Sequence, residues 1–345
     1  MTSLSLSSRL PITALAPLWR RHLTALGAAA CAIVLIFAHD VRDLVRIWWT
    51  SSTFEHCLFI PLLIGWLVHQ RMPGLRRLVP ALWWPGLVWV LAGNVLWLLG
   101  DAAGVALLRH GALVMMGQGA VIALLGPTIA RALLFPLFYA IFMVPFGEEV
   151  VPPLQLLTAK IAMQLLEWSG VPAHIEGIFI TIPNGYFEVA EACSGAKFLI
   201  AMVAYAVLVG HVCFRSWLRR VLFLVGAVTL SIAANGVRAF ATIYVAHRTS
   251  VDAAVGFDHV MYGWLFFGLV MALAMAAAWP FFDRDPRAQW MYAGPVRRSR
   301  AVDMRYFMAA MLLVLLVAPM WSMLSSARAA SLPTQLALPQ VAGWE

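Results

Sequence analysis

Long apolar runs, separated by short loops that hold most of the basic residues, constrain this chain more than any other feature. A helix needs about 20 apolar residues to cross the hydrocarbon core of a bilayer, and roughly eight or nine runs approach that length. Hydrophobic residues make up 62% of the 345 positions, and charged residues only 12%. A soluble globular protein is therefore excluded. The pattern predicts an all-α polytopic membrane protein with about eight or nine transmembrane helices.

The basic residues predict how the chain is oriented. Hydropathy predicts spans at residues 23–38, 57–69, 81–99, 103–126, 129–146, 194–212, 221–247, 257–281 and 306–324. Alternate loops contain Arg20 and Arg21, then Arg71, Arg76 and Arg77, then Arg131, then Arg215, Arg219 and Arg220, and finally Arg284 to Arg305. Short cytoplasmic loops are enriched in Lys and Arg, so residues 1–22 are predicted to be cytoplasmic. The net charge of +8 thus indicates membrane orientation and no nucleic acid partner.

One sizeable insertion, residues 147–192, is predicted on the extracytoplasmic side. Its first part, VVPPLQLLTAKIAMQLLEWSG, has apolar residues at helical spacing, with Lys160 and Glu167 for a polar side. This part is expected to form an interfacial helix that ends at Gly170. The second part, HIEGIFITIPNGYFEV, has Asn184-Gly185 between two alternating runs. That pattern predicts a small β-hairpin.

Cys193, in the stretch EVAEACSGAKF, is the predicted nucleophile. A helix that begins at about residue 194 would place free backbone N–H groups and the positive end of its dipole beside the thiol, which stabilises a thiolate. Glu191, Ser194 and Lys197 give it a polar setting, and Lys197 adds a positive charge. The alternative is a buried structural cysteine, which is the commoner fate of this residue type. Ser194 is also a conceivable nucleophile, but a cysteine is the better one.

Arg238 is the predicted anion-stabilising residue. It lies inside the seventh apolar run, about 14 Å below the outer boundary at 1.5 Å per residue. An arginine at that depth is costly and normally faces a partner or a polar cavity, although snorkelling from the helix end is the alternative. Asn235 lies three residues earlier, hence on the same helical face, and is expected to fix the guanidinium or to face the same cavity.

His259 completes the predicted set at the start of the eighth span. Taken alone, a histidine at a helix end is usually a surface or packing residue. Topology, however, places Cys193, Arg238 and His259 in the outer half of three consecutive spans. A thiol, an imidazole that carries its proton and a fixed cation suffice for acyl transfer. The expected reaction is therefore attack of Cys193 on a peptide carbonyl, with no metal and no cofactor.

At these residues the sequence resembles the exosortase and archaeosortase family of multispan cysteine transpeptidases. The matching pieces are EACSG at 191–195, NGVR at 235–238 and the histidine of FDHVMYG at 257–263, in the family's order. STFEHCLFIPLLIGWLVHQR at 52–71 resembles an early-span signature, although Cys57 stands where many relatives have glycine. The resemblance extends over residues 50–280. It implies the three catalytic roles argued above and a membrane domain over residues 23–281.

The resemblance also implies a location and a substrate class. The location is the bacterial inner membrane, with the active site facing the exterior. The substrates are exported proteins with a C-terminal sorting signal, made of a Pro-Glu-Pro-like motif, a membrane helix and a basic end. Either Arg238 or Lys197 is expected to meet the acid of that motif, and Glu188 to line the substrate groove. The acceptor of the acyl group, whether water, lipid or sugar, stays open.

The C-terminal part is divided into three predicted segments. Residues 282–305 form a basic cytoplasmic loop, residues 306–324 a final transmembrane helix and residues 325–345 an extracytoplasmic tail. The tail resembles the beginning of a domain fused to some bacterial exosortases of the type A subgroup, and both a truncated domain and a naturally shorter version stay open.

Two functions of other classes stay open. One is an anion transporter or channel that uses Arg238, His259 and Lys197, and the other is a non-catalytic subunit of exopolysaccharide export. Arg109 and His110 form a secondary intramembrane polar pair. The cysteines, Cys31, Cys57, Cys193 and Cys213, lack metal-like spacing, so neither a zinc site nor a disulfide framework is supported.

Overall fold

The computed structural model describes residues 12–249, 259–285 and 303–328, without the side chains of 12–15, 259–264 and 328, and these ranges are mainly helical. The helices are α1 (Ile12–Ile36), α2 (Ala38–Thr50), α3 (Ile60–Leu75), α4 (Pro85–Ala103), α5 (Ala106–Ala132), α6 (Leu134–Tyr139), α7 (Val151–Trp168), α8 (Ala196–Cys213), α9 (Trp217–Arg248), α10 (His259–Ala278) and α11 (Met304–Arg328). Short 3-10 helices cover Glu55–Phe59, Ala140–Met143, Glu148–Val150, Glu191–Cys193 and Trp279–Phe281. The strands are β1 (His174–Glu176), β2 (Phe179–Ile182) and β3 (Gly185–Glu188).

The helices are long and apolar enough for a polytopic membrane protein, as the sequence predicts. Within the described ranges, the six candidate spans are Ala16–Ile36, Pro85–Ala103, Ala106–Ala132, Glu191–Cys213, Trp217–Arg248 and Met304–Ala327. Two bent helix pairs bring the number to eight if each pair crosses as one span. Leu265–Phe281 is a shorter apolar helix. The predicted fold class, helical with a small sheet, is confirmed.

Two helix pairs are bent, one just before the predicted span 57–69 and the other at the end of the predicted span 129–146. The chain turns by 113° between Ala38–Thr50 and Glu55–Leu75. Ser51 leaves the helix there with an extended backbone, at φ −94° and ψ 113°, and the Ser and Thr hydroxyls that follow compete with helical hydrogen bonding. The chain turns by 63° between Leu134–Met143 and Glu148–Trp168. The predicted span 129–146 therefore ends early, and the helix expected to be interfacial, α7, is the second half of this pair.

A proline explains the second bend. Val144 has an extended backbone, at φ −81° and ψ 128°, and Pro145 follows it. Proline disfavours a helical conformation of the preceding residue because its Cδ collides with that residue's backbone. The helix that starts at Leu134 consequently cannot continue straight into α7.

Glycines allow α4 and α5 to pack closely. A Cβ added at Gly86 would lie 2.5 Å from the backbone of Ala123, and one added at Gly119 would lie 2.7 Å from the Val90 side chain. Small residues let transmembrane helices approach each other, and the resulting van der Waals contacts drive association where no hydrophobic effect operates. This pair forms the centre of the largest buried core.

Asn94 joins α4 to α11 at a proline kink. Pro319 has no N–H, so the Leu315 carbonyl one turn earlier loses its helical donor. Asn94 supplies a replacement, because its Nδ2 donates to the Leu315 oxygen at 3.3 Å, while its Oδ1 accepts from the Ala318 N–H at 3.1 Å. The Asn94 side chain is buried. A polar residue within an apolar helix is thus explained by the backbone of its neighbour.

The three strands form one antiparallel sheet in the order β1-β2-β3, which confirms the predicted hairpin and adds a strand to it. Ile182 pairs with Gly185, so the turn residues are Pro183 and Asn184 rather than Asn184 and Gly185. The fixed φ of proline suits the first of these positions. Ile180 packs in a buried cluster with residues of α7 and α9. We call this end of the helix bundle the sheet end.

Candidate active site

Cys193 lies at the end of a tight turn that leads from the sheet into α8. Its N–H donates to the Ala190 carbonyl at 2.8 Å, and the Ser194 N–H donates to the Glu191 carbonyl at 3.1 Å. Helix α8 begins at Ala196, two residues later than the sequence predicts. The N–H groups of Cys193 and Ser194 are therefore occupied within the turn. The free backbone donors expected at the start of the helix are therefore not those of these two residues, and their role beside the thiol stays a prediction.

Gly195 connects this turn to α8 in a conformation that favours glycine. Its φ is +84°, in the left-handed region, and a Cβ at this position would lie 2.6 Å from Asn235 Cγ. Any other residue would be strained by its backbone and would also collide with Asn235. The glycine of the EACSG motif is thus required for the path of the chain and for the approach of α9.

Asn235 fixes the turn from α9. Its Nδ2 donates to the Cys193 carbonyl at 3.0 Å and also lies 3.0 Å from Thr158 Oγ1. Thr158, on α7, donates in turn to the Ser194 carbonyl at 3.2 Å. Both side chains are buried. Asn235 was expected to fix Arg238 or to face its cavity, whereas in the structure it positions the backbone on either side of the thiol.

Ser194 has a structural role in the described site. Its Oγ accepts the Ala196 N–H at 3.1 Å, and only 1% of the residue is exposed. The hydroxyl therefore satisfies one of the unpaired N–H groups at the start of α8. Cys193 is half-buried by comparison, so the thiol is the more accessible of the two nucleophiles.

Two cations flank the Cys193 thiol. The Arg238 guanidinium is hydrogen-bonded to it, and Lys197 acts on it electrostatically. The Phe198 ring contacts both cations, with its centroid 5.1 Å from Lys197 Nζ and 5.3 Å from Arg238 Cζ. Cation–π contacts of this kind hold a cation in place without neutralising it. The structure thus brings Cys193, Lys197 and Arg238 together.

The two acids predicted near the thiol are at the surface of the sheet end. Glu188 pairs with Phe179 at the end of β3, and Glu191 begins the turn that contains the thiol. Both residues are exposed. Within the described ranges neither forms an ion pair within 4 Å. Their predicted supporting roles stay predictions.

His259 is the first residue of α10, and its side chain lies outside the described part of the chain. Helices α8 and α10 run side by side in the same direction. Phe198 stacks on Phe267 with ring centroids 5.0 Å apart, and further along the Tyr205 hydroxyl donates to the Met271 carbonyl at 3.2 Å. At 1.5 Å per residue, His259 lies about 12 Å before Phe267 on the helix axis. Helix α10 therefore begins at the end of the bundle where α8 begins.

Arg109 and His110, the secondary candidates, belong to a separate polar cluster. Arg109 Nε lies 3.3 Å from Asp40 Oδ1, and its Nη1 lies 3.9 Å from Asp101 Oδ1. His110 Nε2 lies 3.2 Å from Asp43 Oδ2. These contacts join α2, α4 and α5. Intramembrane charges that pair with one another in this way have an evident packing role.

The described residues do not form a metal site. No three His, Cys, Asp or Glu side chains converge in these parts of the chain. All four cysteines are free, Cys31 exposed and Cys57 and Cys213 buried. The groups gathered around Cys193 are accordingly a thiol and two cations, a combination suited to nucleophilic attack and to anion binding.

Thr158 is the site residue that the sequence did not indicate. It lies on α7, 36 positions before Ser194 and 77 before Asn235. A single threonine among apolar residues of an amphipathic helix has no distinguishing signal. Only the packing of α7 against α9 shows its contact with the turn.

A family model described as Transmembrane exosortase (Exosortase_EpsH) matches residues 48–276, which is more than half of the chain. Comparison with curated proteins and with solved structures returned no match. The matched stretch includes Cys193, Arg238 and His259, whereas α1 and α11 lie outside it. Together with the multispan helical fold, this match leads to one conclusion: the chain belongs to the transmembrane exosortase family.

Proposed function

We propose that this protein is a membrane cysteine peptidase and transpeptidase that cleaves C-terminal sorting signals of the Pro-Glu-Pro type from exported proteins. The proposal rests on one observation above all. The Cys193 thiol is hydrogen-bonded to the Arg238 guanidinium, and the turn that presents the thiol is clamped from α7 and α9. A nucleophile and an anion-binding group are thus held against each other before any substrate is present.

The first chemical step is attack of the Cys193 sulfur on the scissile carbonyl carbon. A C–S bond forms, and the carbonyl oxygen becomes an oxyanion. The N–H groups of Cys193 and Ser194 are occupied within the turn, so Arg238 is assigned as the oxyanion donor. A fixed cation aimed at the developing charge lowers the barrier, because it needs no reorganisation during the reaction.

His259 is assigned as the proton carrier. It accepts the thiol proton and then delivers it to the leaving nitrogen as the C–N bond breaks, which releases the membrane-helix part of the signal as a free amine. The acyl group stays on Cys193 as a thioester. Water or another nucleophile then attacks the thioester, and the thiol is regenerated. No metal or cofactor takes part in this scheme.

The proposed setting is the outer boundary of a bacterial inner membrane. Arginines in alternate loops support a cytoplasmic N-terminus. The sheet end would then face the exterior, with Cys193 at the level where a membrane-anchored signal leaves the lipid. The partners are exported proteins, the lipid bilayer and an acceptor nucleophile.

The test compares Cys193→Ala, Cys193→Ser and Cys31→Ser in cells that also express a tagged reporter with such a signal. Cys31 is exposed on α1 and serves as the matched control. Both Cys193 variants should accumulate uncleaved precursor, while Cys31→Ser should process it at the wild-type rate. Full cleavage of the reporter by Cys193→Ala would contradict the proposed function. The mass of the new C-terminus of the product identifies the acceptor.

A further inference from the structure

Strand β3 has one edge that no other strand covers in the described part of the chain, because it pairs with β2 alone. The two-residue turn before it makes Ile182 and Gly185 a hydrogen-bonded pair. Hydrogen-bonded and non-hydrogen-bonded pairs alternate along an antiparallel ladder. Gly185 and Phe187 therefore direct their N–H and C=O groups toward β2, whereas Tyr186 and Glu188 direct theirs toward the outer edge.

Three backbone groups of this edge have no hydrogen-bond partner among the described residues. They are the N–H and the C=O of Tyr186 and the N–H of Glu188. The Glu188 carbonyl accepts the Ala190 N–H at 2.9 Å, so the open edge ends there. The side chains of Tyr186 and Glu188 are exposed. Unpaired N–H and C=O groups in a row are a template for a further strand.

The open edge leads directly to the proposed nucleophile. Only residues 189–192 separate Glu188 from Cys193. One face of the sheet packs on α7 and α9, and the Asn184 Nδ2 donates to the His247 carbonyl of α9 at 2.9 Å. The hairpin is thus held both at its face and at its tip. A peptide bound along β3 would be guided toward the thiol by a fixed surface.

We propose that this edge binds the peptide substrate as an additional strand, parallel to β3. The N–H of one substrate residue donates to the Tyr186 carbonyl, and the carbonyl of the same residue accepts the Glu188 N–H. The Tyr186 N–H donates to the substrate carbonyl two residues earlier. In this direction the exported part comes first, and the chain continues from Glu188 toward Cys193. This strand pairing rests on the proposed function.

A Pro-Xaa-Pro segment suits a single open edge. In a strand, the N–H and C=O of one residue point to the same side, and those of its two neighbours point to the other side. The central residue therefore makes both hydrogen bonds to β3, while the prolines, which have no N–H, face away. Their rings lie on the same face of the sheet as Tyr186, whose ring stacks on Phe179 with centroids 5.3 Å apart.

The first experiment removes one donor from the edge of the full-length protein. Glu188→Pro deletes the outward N–H but no hydrogen bond to β2, whereas Glu188→Ala deletes the carboxylate and keeps the N–H. Glu188→Pro should cleave the reporter at least about tenfold more slowly than Glu188→Ala, with a similar thermal unfolding midpoint in detergent. Equal cleavage by the two variants would overturn the strand pairing and leave the proposed function intact.

The second experiment maps the pairing without cleavage. Tyr186→Cys is combined with Cys193→Ala, and a cysteine-free reporter receives one cysteine at each of about six successive positions ahead of the scissile bond. A mild oxidant should form disulfides at every second position, because alternate side chains of a strand point to opposite faces. Cys193→Ala alone is the control for the remaining cysteines.

The outcomes separate the two proposals. Disulfides at every second position of a reporter that the wild type does not cleave would keep the strand pairing and overturn the proposed function. Disulfides at consecutive positions alike, or at none, would overturn the strand pairing, while cleavage by the wild type would leave the proposed function intact.

Discussion

Asn235 and Cys193 are joined by a hydrogen bond of 3.0 Å, from the Asn235 Nδ2 to the Cys193 carbonyl oxygen. The two residues are 42 positions apart, yet this contact and the one from Thr158 to Ser194 fix both carbonyls around the thiol. An amide nitrogen has two hydrogens, so Asn235 can donate to Cys193 and to Thr158 together. The orientation of the Cys193 thiol consequently depends on α7, which holds Thr158, and on α9, which holds both Asn235 and Arg238.

Thr158→Val should slow cleavage without preventing folding. Valine has nearly the same shape, but it removes the donor to the Ser194 carbonyl and the acceptor for Asn235. Each lost hydrogen bond is worth about 0.5–1.5 kcal/mol, so we expect a decrease of roughly tenfold in the cleavage rate. Thr158→Ser keeps the hydroxyl and should retain most of the activity. Equal losses in the two variants, measured at equal protein levels, would contradict the role of the hydroxyl.

Gly195→Ala should be far more damaging than alanine at another glycine of positive φ. Gly104, at φ +68°, has no atom within 4 Å of an added Cβ, so Gly104→Ala isolates the backbone cost, roughly 1–2 kcal/mol. Gly195→Ala adds the collision with Asn235 and should abolish cleavage. Thermal unfolding and cleavage of both variants provide the measurement. Similar behaviour of the two would mean that the close approach of α9 is unimportant.

Asn94→Ala should lower stability in a way that depends on Pro319. The Leu315 carbonyl loses the donor that replaces the missing N–H of Pro319, and an unpaired buried group costs about 1–3 kcal/mol. In a Pro319→Ala background the N–H of residue 319 can serve the Leu315 carbonyl again, so removal of Asn94 should cost less. A double-mutant cycle from unfolding midpoints in detergent measures this coupling. Strict additivity would show that Asn94 does not compensate for the proline.

Arg238→Gln should reduce cleavage while the protein stays folded. Removal of an oxyanion donor typically costs about 10²–10³-fold in turnover, and the Gln amide has no charge. Arg238→Lys keeps the charge but not the planar fork, so its activity should lie between that of Gln and that of arginine. Turnover of the reporter at matched expression is the readout. Near wild-type turnover by Arg238→Gln would show that another group stabilises the oxyanion.

The helical spans and the small sheet could be predicted because each depends on a pattern formed by many residues. Apolar runs predict the spans, and two alternating runs around Asn184 predict the hairpin. The depth of Arg238 indicated a polar partner, and its contact with Cys193 provides one, whereas the role of Cys193 as the nucleophile stays a prediction. The bend before α7 was missed, because its cause, Pro145, is a single residue in otherwise apolar surroundings. The other bend lies in the polar stretch 50–53, just outside the predicted span 57–69.

The contacts that hold the turn at Cys193 could not be predicted for a different reason. Thr158 acts through contacts with residues 36 and 77 positions away, and no local pattern signals them. The start of α8 was placed too early because a hydropathy profile does not distinguish a tight turn from the first turn of a helix. The positive φ of Gly195 and the occupied N–H groups follow only from the packed backbone.

The internal hydrogen bonding of the turn at Cys193 also affects how such a protein can change over time. Enzymes that stabilise an oxyanion with a main-chain N–H lose that donor only when the residue is replaced by proline, which has no N–H. In the proposed mechanism the same duty falls to one arginine side chain, so one substitution would convert a catalyst into a folded protein that still binds its targets. Inactive members that act as competitors of the enzyme are therefore an accessible evolutionary outcome of this architecture.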